Sequence, residues 1–491
     1  MDAINDKLNS YVIGGKYGFE FIPMEEIAKS LGVSAVGLRF MCGILVGYPF
    51  ALIYLLFPKS AYNRKHFYFT ITGITITYFC FGADCIYNLF SIFMSYVSFS
   101  LLGPSISNVI FNFLFHTTFL FVGYVVNATE NYDVKWTTPQ CILCLRLIGL
   151  AWDVYDGHQP EETLSEEQKY FRITKKPSFM EMFGFSYCFC GCLSGPQFSF
   201  QRYIRFTTNT LVDADIQDKQ SGRFAASFKR FLSGLLVVAL FTVFDSSYRS
   251  DMLLTSKVLN KPFLEKVLLM GIIYYVQFAK YVFVWWFAES ICMLIGLSYD
   301  GKDSHGNAKW EGLNNFKFRK FFFGAFFQDI IESFNIQTNR WSGRYVFKRL
   351  RFLGNRTASH VFTLLYLSIW HGFYIGYLVM FVLEFATMII EREVRGTFFK
   401  LTNISFDELS PVTRYPFQAF GAVYKFLACG FYVQAFMLLK WRKFSIVYAN
   451  VYYWPVVLMA SWYIIAKPLL TMIIRFRKRS TKNEETKSKA E

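Results

Sequence analysis

Residues 361–390 read VFTLLYLSIWHGFYIGYLVMFVLEFATMII, an apolar run interrupted by one acid, Glu384, and holding one histidine, His371. A run of this length exceeds the roughly 20 residues that cross the hydrocarbon of a bilayer. Comparable runs recur at Val36 to Phe57, Phe67 to Phe81, Ile86 to Leu102, Ile106 to Val126, Leu264 to Leu297, Gln418 to Leu439 and Ser445 to Ile474. Shorter or glycine-interrupted ones lie at Cys141 to Trp152, Met180 to Phe200 and Phe231 to Phe244, and are expected as re-entrant or broken helices. With 54% apolar and 20% aromatic residues, the composition is that of a membrane protein. The pattern predicts an all-α, polytopic transmembrane helical bundle of roughly ten to eleven spans.

Lys plus Arg number 51 against 35 Asp plus Glu, a net charge of +16, and the excess sits between the spans. In a soluble chain this would suggest nucleic acid. Here cytoplasmic loops and anionic headgroups account for it, so no nucleic-acid partner is expected. The start, MDAINDKLNSYVIGGKYGFEFIPMEE, is acidic and lacks the basic flank and apolar core of a secretory signal, so the first span is expected to serve for targeting. The ten cysteines lie mostly within apolar runs. CILC (Cys141, Cys144) and CFCGC (Cys188, Cys190, Cys192) lack the further ligands a tetrahedral metal site needs, and no metal is expected.

The chain divides into an N-terminal segment 1–35, a membrane domain 36–474 and a tail 475–491. Polar loops are expected at Asp153 to Pro177 and Ser298 to Asn315. The tail, RFRKRSTKNEETKSKAE, is basic directly after the last apolar run, which places it in the cytosol. Its Lys487 and Lys489 stand five and three positions from the end, a pattern that resembles the dilysine retrieval signal of endoplasmic-reticulum membrane proteins. An ordinary solvated charge run is the alternative. Sequons at Asn127, Asn355 and Asn403 are noted, Asn355 in a basic, cytosol-facing segment.

An ionisable ring inside a span is costly and by default functional, although a histidine bonding a neighbouring helix is the bland alternative. Gly372 and Gly376 form a small-xxx-small pair that would admit a backbone or a ligand chain beside His371. Trp370 and Tyr374, four apart, would add an aromatic wall. Upstream, ESFNIQTNRWSGRYVFKRLRFLGNR (332–356) places Arg344, Lys348 and Arg351 at i, i+4 and i+7, with Val346, Leu350 and Leu353 on another face. That predicts a basic amphipathic helix at a membrane surface, as an anchor or as a platform for phosphate-bearing substrates. Glu289, Lys280, Arg146 and Asp153 are further polar residues in or beside spans.

ESFNIQTNRW, FKRLRFLGN and SIWHGFYIGY together resemble the membrane-bound O-acyltransferases, in their lysophosphatidylcholine acyltransferase branch. RLIGLAWDVYDG (146–157) and SGPQFSFQRY (194–203) are similar to segments of the same branch, and the resemblance runs from about Arg146 to Lys489. It implies an intramembrane reaction chamber and transfer of a long-chain acyl group, expected to be unsaturated, from acyl-CoA to the sn-2 hydroxyl of lysophosphatidylcholine or other lysophospholipids. Acyl-CoA is then a substrate and no cofactor is implied; membrane lipids are the remaining partners, and oligomeric state, a homodimer included, is left open. The family's paired asparagine and histidine match Asn335 and His371, with Asn339, one helical turn on, set aside by the motif alignment. Asn339, Arg344, Lys348, Arg351, Trp370 and Tyr374 are the substrate-binding candidates. Ile375 stands where a proline is expected, so the bend there is expected to differ from the family's.

The residue types suit the chemistry. A neutral imidazole can take the proton of a hydroxyl as it attacks a thioester carbonyl, and an apolar bundle disfavours the imidazolium. Asn335 could orient the ring or the substrate, or donate to the developing oxyanion. The rivals are a sterol or protein acceptor within the same family, and a transporter, which would predict inverted repeats that the sequence does not display.

Overall fold

The computed structural model describes residues 19, 22–128, 134–219 and 222–488, without the side chains of 217–219, 407 and 478–488. Most of the 1–35 segment, Thr129 of the Asn127 sequon and Lys489 of the dilysine pattern lie outside the described residues. Among those described the structure is helical, with one isolated β-bridge between Lys302 and Ala308. The helices that matter for function are α1 (Ala35–Leu45), α2 (Gly47–Tyr54), α3 (Tyr62–Phe81), α4 (Cys85–Leu102), α5 (Ile106–Val126), α6 (Thr137–Asp156), α7 (Arg223–Asp245), α8 (Phe263–Ile295), α9 (Ile336–Ser342), α10 (Arg356–His371), α11 (Ile375–Thr402) and α12 (Pro411–Leu438).

Among the described residues seven stretches are long and apolar enough to cross a membrane: Ala35–Tyr54, Tyr62–Leu102, Ile106–Val126, Arg223–Leu254, Phe263–Ile295, Pro411–Leu438 and Trp454–Arg477. Two physical effects separate this count from the larger number of apolar runs. The runs in α3 and α4 join into one 41-residue stretch, bent at Gly82, whose φ of 58° is open to glycine. The expected Cys141–Trp152 element is α6, a helix with nearly all of its residues buried in protein. It is a core rod rather than a lipid-facing span.

The chain forms two compact units. The first, residues 1–242, 279–316 and 335–373, contains α1 to α6, nearly all of α7, α9, α10 and the second half of α8. Its α4, α5 and α6 are joined by a buried polar network. Asn88 donates to Gln140 (2.7 Å), Gln140 to Ser91 (2.8 Å), and His116 meets Ser91 at 2.9 Å and Ser95 at 2.6 Å. Helices in lipid gain no hydrophobic drive from one another, so such hydrogen bonds fix their contacts. His116, a second histidine in a span, has both ring nitrogens engaged this way and is packing glue.

The second unit comprises residues 243–278, 317–334 and 374–491. There α11 crosses α12 at Gly376, where a Cβ would overlap the Ala435 carbonyl oxygen, and the Gly376 N–H donates to Leu439 O at 3.1 Å. Gly430 of α12 approaches the Gly271 backbone of α8 with a similar lack of room. Tyr377, Phe436 and Leu439 pack together beside the first crossing.

Candidate active site

His371 is the last residue of α10. Gly372, at φ 138° and ψ −172°, ends the helix in a conformation that side chains rarely adopt. The expected single span across Val361 to Ile390 is therefore two helices, broken directly after the histidine. Two expectations change with it. Gly372 and Gly376 do not share a helix face, since Gly372 is the break and Gly376 serves the α11–α12 crossing. Trp370 and Tyr374 likewise form no i,i+4 wall, because Tyr374 is the residue preceding α11. Ile375 opens α11, the first helical position, where proline is only one acceptable residue. The break rests on Gly372 and does not need proline.

Trp370 holds this helix end from both sides. Its indole Nε1 donates to Cys141 O of α6 at 2.9 Å, and its own carbonyl accepts from Tyr124 Oη of α5 at 3.0 Å. The His371 ring stands edge-on to the Trp370 indole, centroids 4.7 Å apart. Trp370 thus fixes the end of the helix that carries His371.

Asn335 precedes α9 in the left-handed conformation, φ 50° and ψ 43°, which asparagine tolerates better than other side chains with a Cβ. Its carbonyl accepts the Asn339 N–H at 3.0 Å, yet its side chain makes no capping hydrogen bond. The cap explanation accounts for the backbone and leaves the amide unexplained. Asn339 lies within α9, one turn further, where its carbonyl accepts from Ser342 Oγ at 3.0 Å.

The start of α9 is fixed from below. Asn315 accepts the Ile336 N–H on its carbonyl (3.2 Å) and the Gln337 N–H on Oδ1 (2.9 Å). Asn315 in turn donates its own N–H to Glu289 Oε1 at 2.6 Å. Glu289, fully buried on α8, has Arg230 Nη1 3.2 Å from its other oxygen, an ionic contact without hydrogen-bond alignment. Arg230 also donates to Asn314 Oδ1 at 3.2 Å. Glu289 therefore supports Asn335 through the loop.

Helix α6 ties the two candidates together. Trp341 of α9 donates Nε1 to Leu145 O at 2.8 Å, one turn along α6 from the Cys141 carbonyl that holds Trp370. A further turn on, Gly149 makes the room: a Cβ there would stand 3.0 Å from Trp341 Nε1. Another turn brings Asp153, whose Oδ1 accepts from Tyr345 Oη at 2.7 Å. Trp341 stacks on Tyr366 of α10, centroids 5.8 Å apart. One buried rod thus sets both the helix that begins after Asn335 and the helix that ends at His371.

Beside α6 and α9 lies a cavity of about 240 Å³. Arg146, Asp153, Arg202, Arg340 and Arg344 are among its lining residues, so two of the four polar residues noted in or beside spans line a cavity. Arg146 is committed to backbone: it donates to Phe185 O, Ser186 O and Gly191 O at 2.9 to 3.0 Å. Arg340 is exposed. Lys280, the fourth, stands over the Tyr281 ring at 5.3 Å.

The basic segment is not a regular amphipathic helix. Gly343–Phe347 is a π-turn and Lys348–Leu353 a 3-10 turn, so the i, i+4, i+7 register of Arg344, Lys348 and Arg351 is lost. Arg344 and Lys348 converge on Glu167 of the 166–171 helix, at 3.2 and 2.6 Å, and Arg344 stacks on Phe171 at 3.5 Å. Burial alone would raise the Glu167 carboxyl, but Lys348 and Arg344 together hold it below the usual carboxylate range. Arg351 stays exposed. Arg349, which the spacing did not single out, forms a forked pair with Asp156 and lies over Trp152 at 4.1 Å.

The sequence profile of the MBOAT, membrane-bound O-acyltransferase family, matches residues 121–437. The chain is 37% identical over 438 residues to lysophospholipid acyltransferase 5 of Homo sapiens, covering 89% of each chain. To lysophospholipid acyltransferase 5 of Drosophila melanogaster it is 32% identical over 445 residues, with 89% of this chain and 88% of the relative covered. The lysophospholipid acyltransferase of Schizosaccharomyces pombe is 29% identical over 451 residues, with 88% and 86% covered.

Proposed function

The chain belongs to the membrane-bound O-acyltransferase family, and from that premise we propose that it transfers a long-chain acyl group from acyl-CoA to the sn-2 hydroxyl of lysophosphatidylcholine and related lysophospholipids. The relatives' names favour a lysophospholipid over a sterol or protein acceptor. The observation that carries the site assignment is the pair of tryptophan hydrogen bonds to Cys141 O and Leu145 O, which hang the His371 and Asn335 helices from one rod.

In the reaction so assigned, the neutral His371 ring accepts the lysolipid hydroxyl proton while that oxygen bonds to the thioester carbonyl carbon. Collapse breaks the carbon–sulfur bond, and the proton passes from the imidazolium to the departing CoA sulfur. The products are a diacyl phospholipid and free CoA. In this reading Asn335, whose amide is not spent on the helix cap, orients the substrate or donates to the oxyanion. The cavity lined by Arg340 and Arg344 suits the polyanionic part of CoA. Incubating membranes with labelled acyl-CoAs and a panel of lysolipids, a sterol and a peptide should yield diacyl phosphatidylcholine as the main product, with unsaturated chains preferred. Sterol ester or acylated peptide as the only product would overturn the acceptor assignment.

We also place the protein in the endoplasmic-reticulum membrane with its C-terminus in the cytosol, supported by the basic residues after the last span and by Lys487 and Lys489. Replacing both lysines with Ser should move tagged protein toward the Golgi and cell surface without altering its specific activity. Unchanged localisation in fluorescence microscopy would assign retention to the spans.

A further inference from the structure

A second pocket of the first unit, about 180 Å³, shares no lining residue with the arginine-lined cavity. Four candidate spans contribute their ends to it. Tyr54 is the last residue of the first span, Lys65 lies in the first turn of the Tyr62–Leu102 stretch, Arg223 opens α7, and Ile295 closes α8. Span ends gathered in this way put the pocket at a membrane surface rather than at the midplane.

Its lining is apolar and cationic. Tyr54, Leu55, Phe57, Phe206, Leu211 and Ile216 supply the apolar wall, Lys59, Lys65 and Arg223 the charge, and among the described residues no carboxylate lines it. Lys65 is 2% exposed. Its ammonium donates to Lys59 O (3.1 Å), Thr207 O (3.0 Å) and Asn209 Oδ1 (3.1 Å), so all three donors meet neutral oxygens and the charge stays uncompensated among the described residues. Arg223 Nε is buried and has no hydrogen-bond partner among the described residues. The Lys65 ammonium and the Arg223 Nε, both held out of bulk water, are costly until an anion joins them, while Lys59 adds an exposed charge beside them. Beside the pocket, Leu52, Ile53 and Leu56 are 56%, 46% and 81% exposed, an apolar strip on which a hydrocarbon chain can lie.

We propose that this pocket binds the phosphodiester of a phospholipid of net negative charge, with Arg223 donating to a phosphate oxygen and the lipid chain running along Leu52, Ile53 and Leu56. The phosphate chemistry alone would also suit a soluble phosphate; the adjoining apolar strip selects the lipid. The inference is independent of the transfer reaction.

The test uses the full chain in neutral detergent, stripped of lipid and titrated separately with phosphatidylglycerol, phosphatidylcholine, glycerophosphoglycerol and inorganic phosphate, with bound species counted by native mass spectrometry. Phosphatidylglycerol should bind in preference to the other three. Combining Arg223→Gln with Lys59→Gln should weaken it about tenfold, whereas Arg340→Gln in the other cavity should leave it unchanged. If the double variant does not fold, Arg223→Lys, which removes the orphan Nε donor, should show the same direction of change. Wild-type affinity in the folded variants would overturn the site, and inorganic phosphate binding as tightly as phosphatidylglycerol would overturn the lipid as its occupant.

Discussion

His371→Ala is expected to lower kcat by about 10²-fold or more while the protein keeps its thermal midpoint in detergent. The fold should tolerate the change for a local reason: the hydrogen bonds made by the indole and carbonyl of Trp370 stay in place in the variant and hold this helix end. Alanine continues a helix well, and Gly372 still breaks it. Near-normal turnover in the variant would make His371 a packing residue. Asn335 needs a subtler substitution, because alanine in its left-handed conformation adds backbone strain of about 1 kcal/mol. Asn335→Gly keeps that backbone and removes only the amide, so a loss comparable to that of His371→Ala would assign the side chain a chemical role. Activity retained in Asn335→Gly would mean that the position serves only to start α9. Asn339→Ala should be the milder change; the reverse order would shift the pair to Asn339 and His371.

The bundle was legible because apolar run length is a one-dimensional property: a lipid-facing helix needs enough consecutive apolar residues, and α5 and α12 supply them. The break after His371 was not, since FYIGY is as apolar as what precedes it. A glycine in such a run is ambiguous between close packing and a helix end, and Gly376 and Gly372 turned out to do one each. Register failed for Arg344, Lys348 and Arg351 because an ideal 3.6-residue repeat was assumed, whereas the segment takes a π-turn, and Arg344 and Lys348 meet a single carboxylate, Glu167, far away in sequence. The Trp341 and Trp370 hydrogen bonds to α6 were hidden for the same reason. Their acceptors are backbone carbonyls, which carry no residue signature, and only Gly149, four residues after Leu145, hints that something large must fit there. Glu289 was visible as an acid in a span, but its role in the loop under Asn335 depends on Arg230 and Asn315, on two other segments.

Glu289→Ala should therefore be the most destabilising single substitution among the site's supports, by about 3–5 kcal/mol. It strands Arg230, whose side chain is only 16% exposed, and removes the acceptor of the Asn315 N–H. The size of the effect comes from the charge left behind rather than from the strength of the pair. Pairing Glu289→Leu with Arg230→Met should accordingly recover much of the thermal midpoint, since two apolar side chains in a buried site need no partner. Recovery of stability need not restore turnover. Asn315 would still lack its anchor, and with it the hydrogen bonds that fix Ile336 and Gln337, so kcat should stay low while KM for acyl-CoA changes little. The melting curve and the kcat-against-KM split thus separate a carboxylate that merely holds the fold from one that also positions Asn335. A double variant restored in both would reduce Glu289 to a packing group, and a Glu289→Ala protein melting with the wild type would show that Arg230 finds its counter-charge elsewhere.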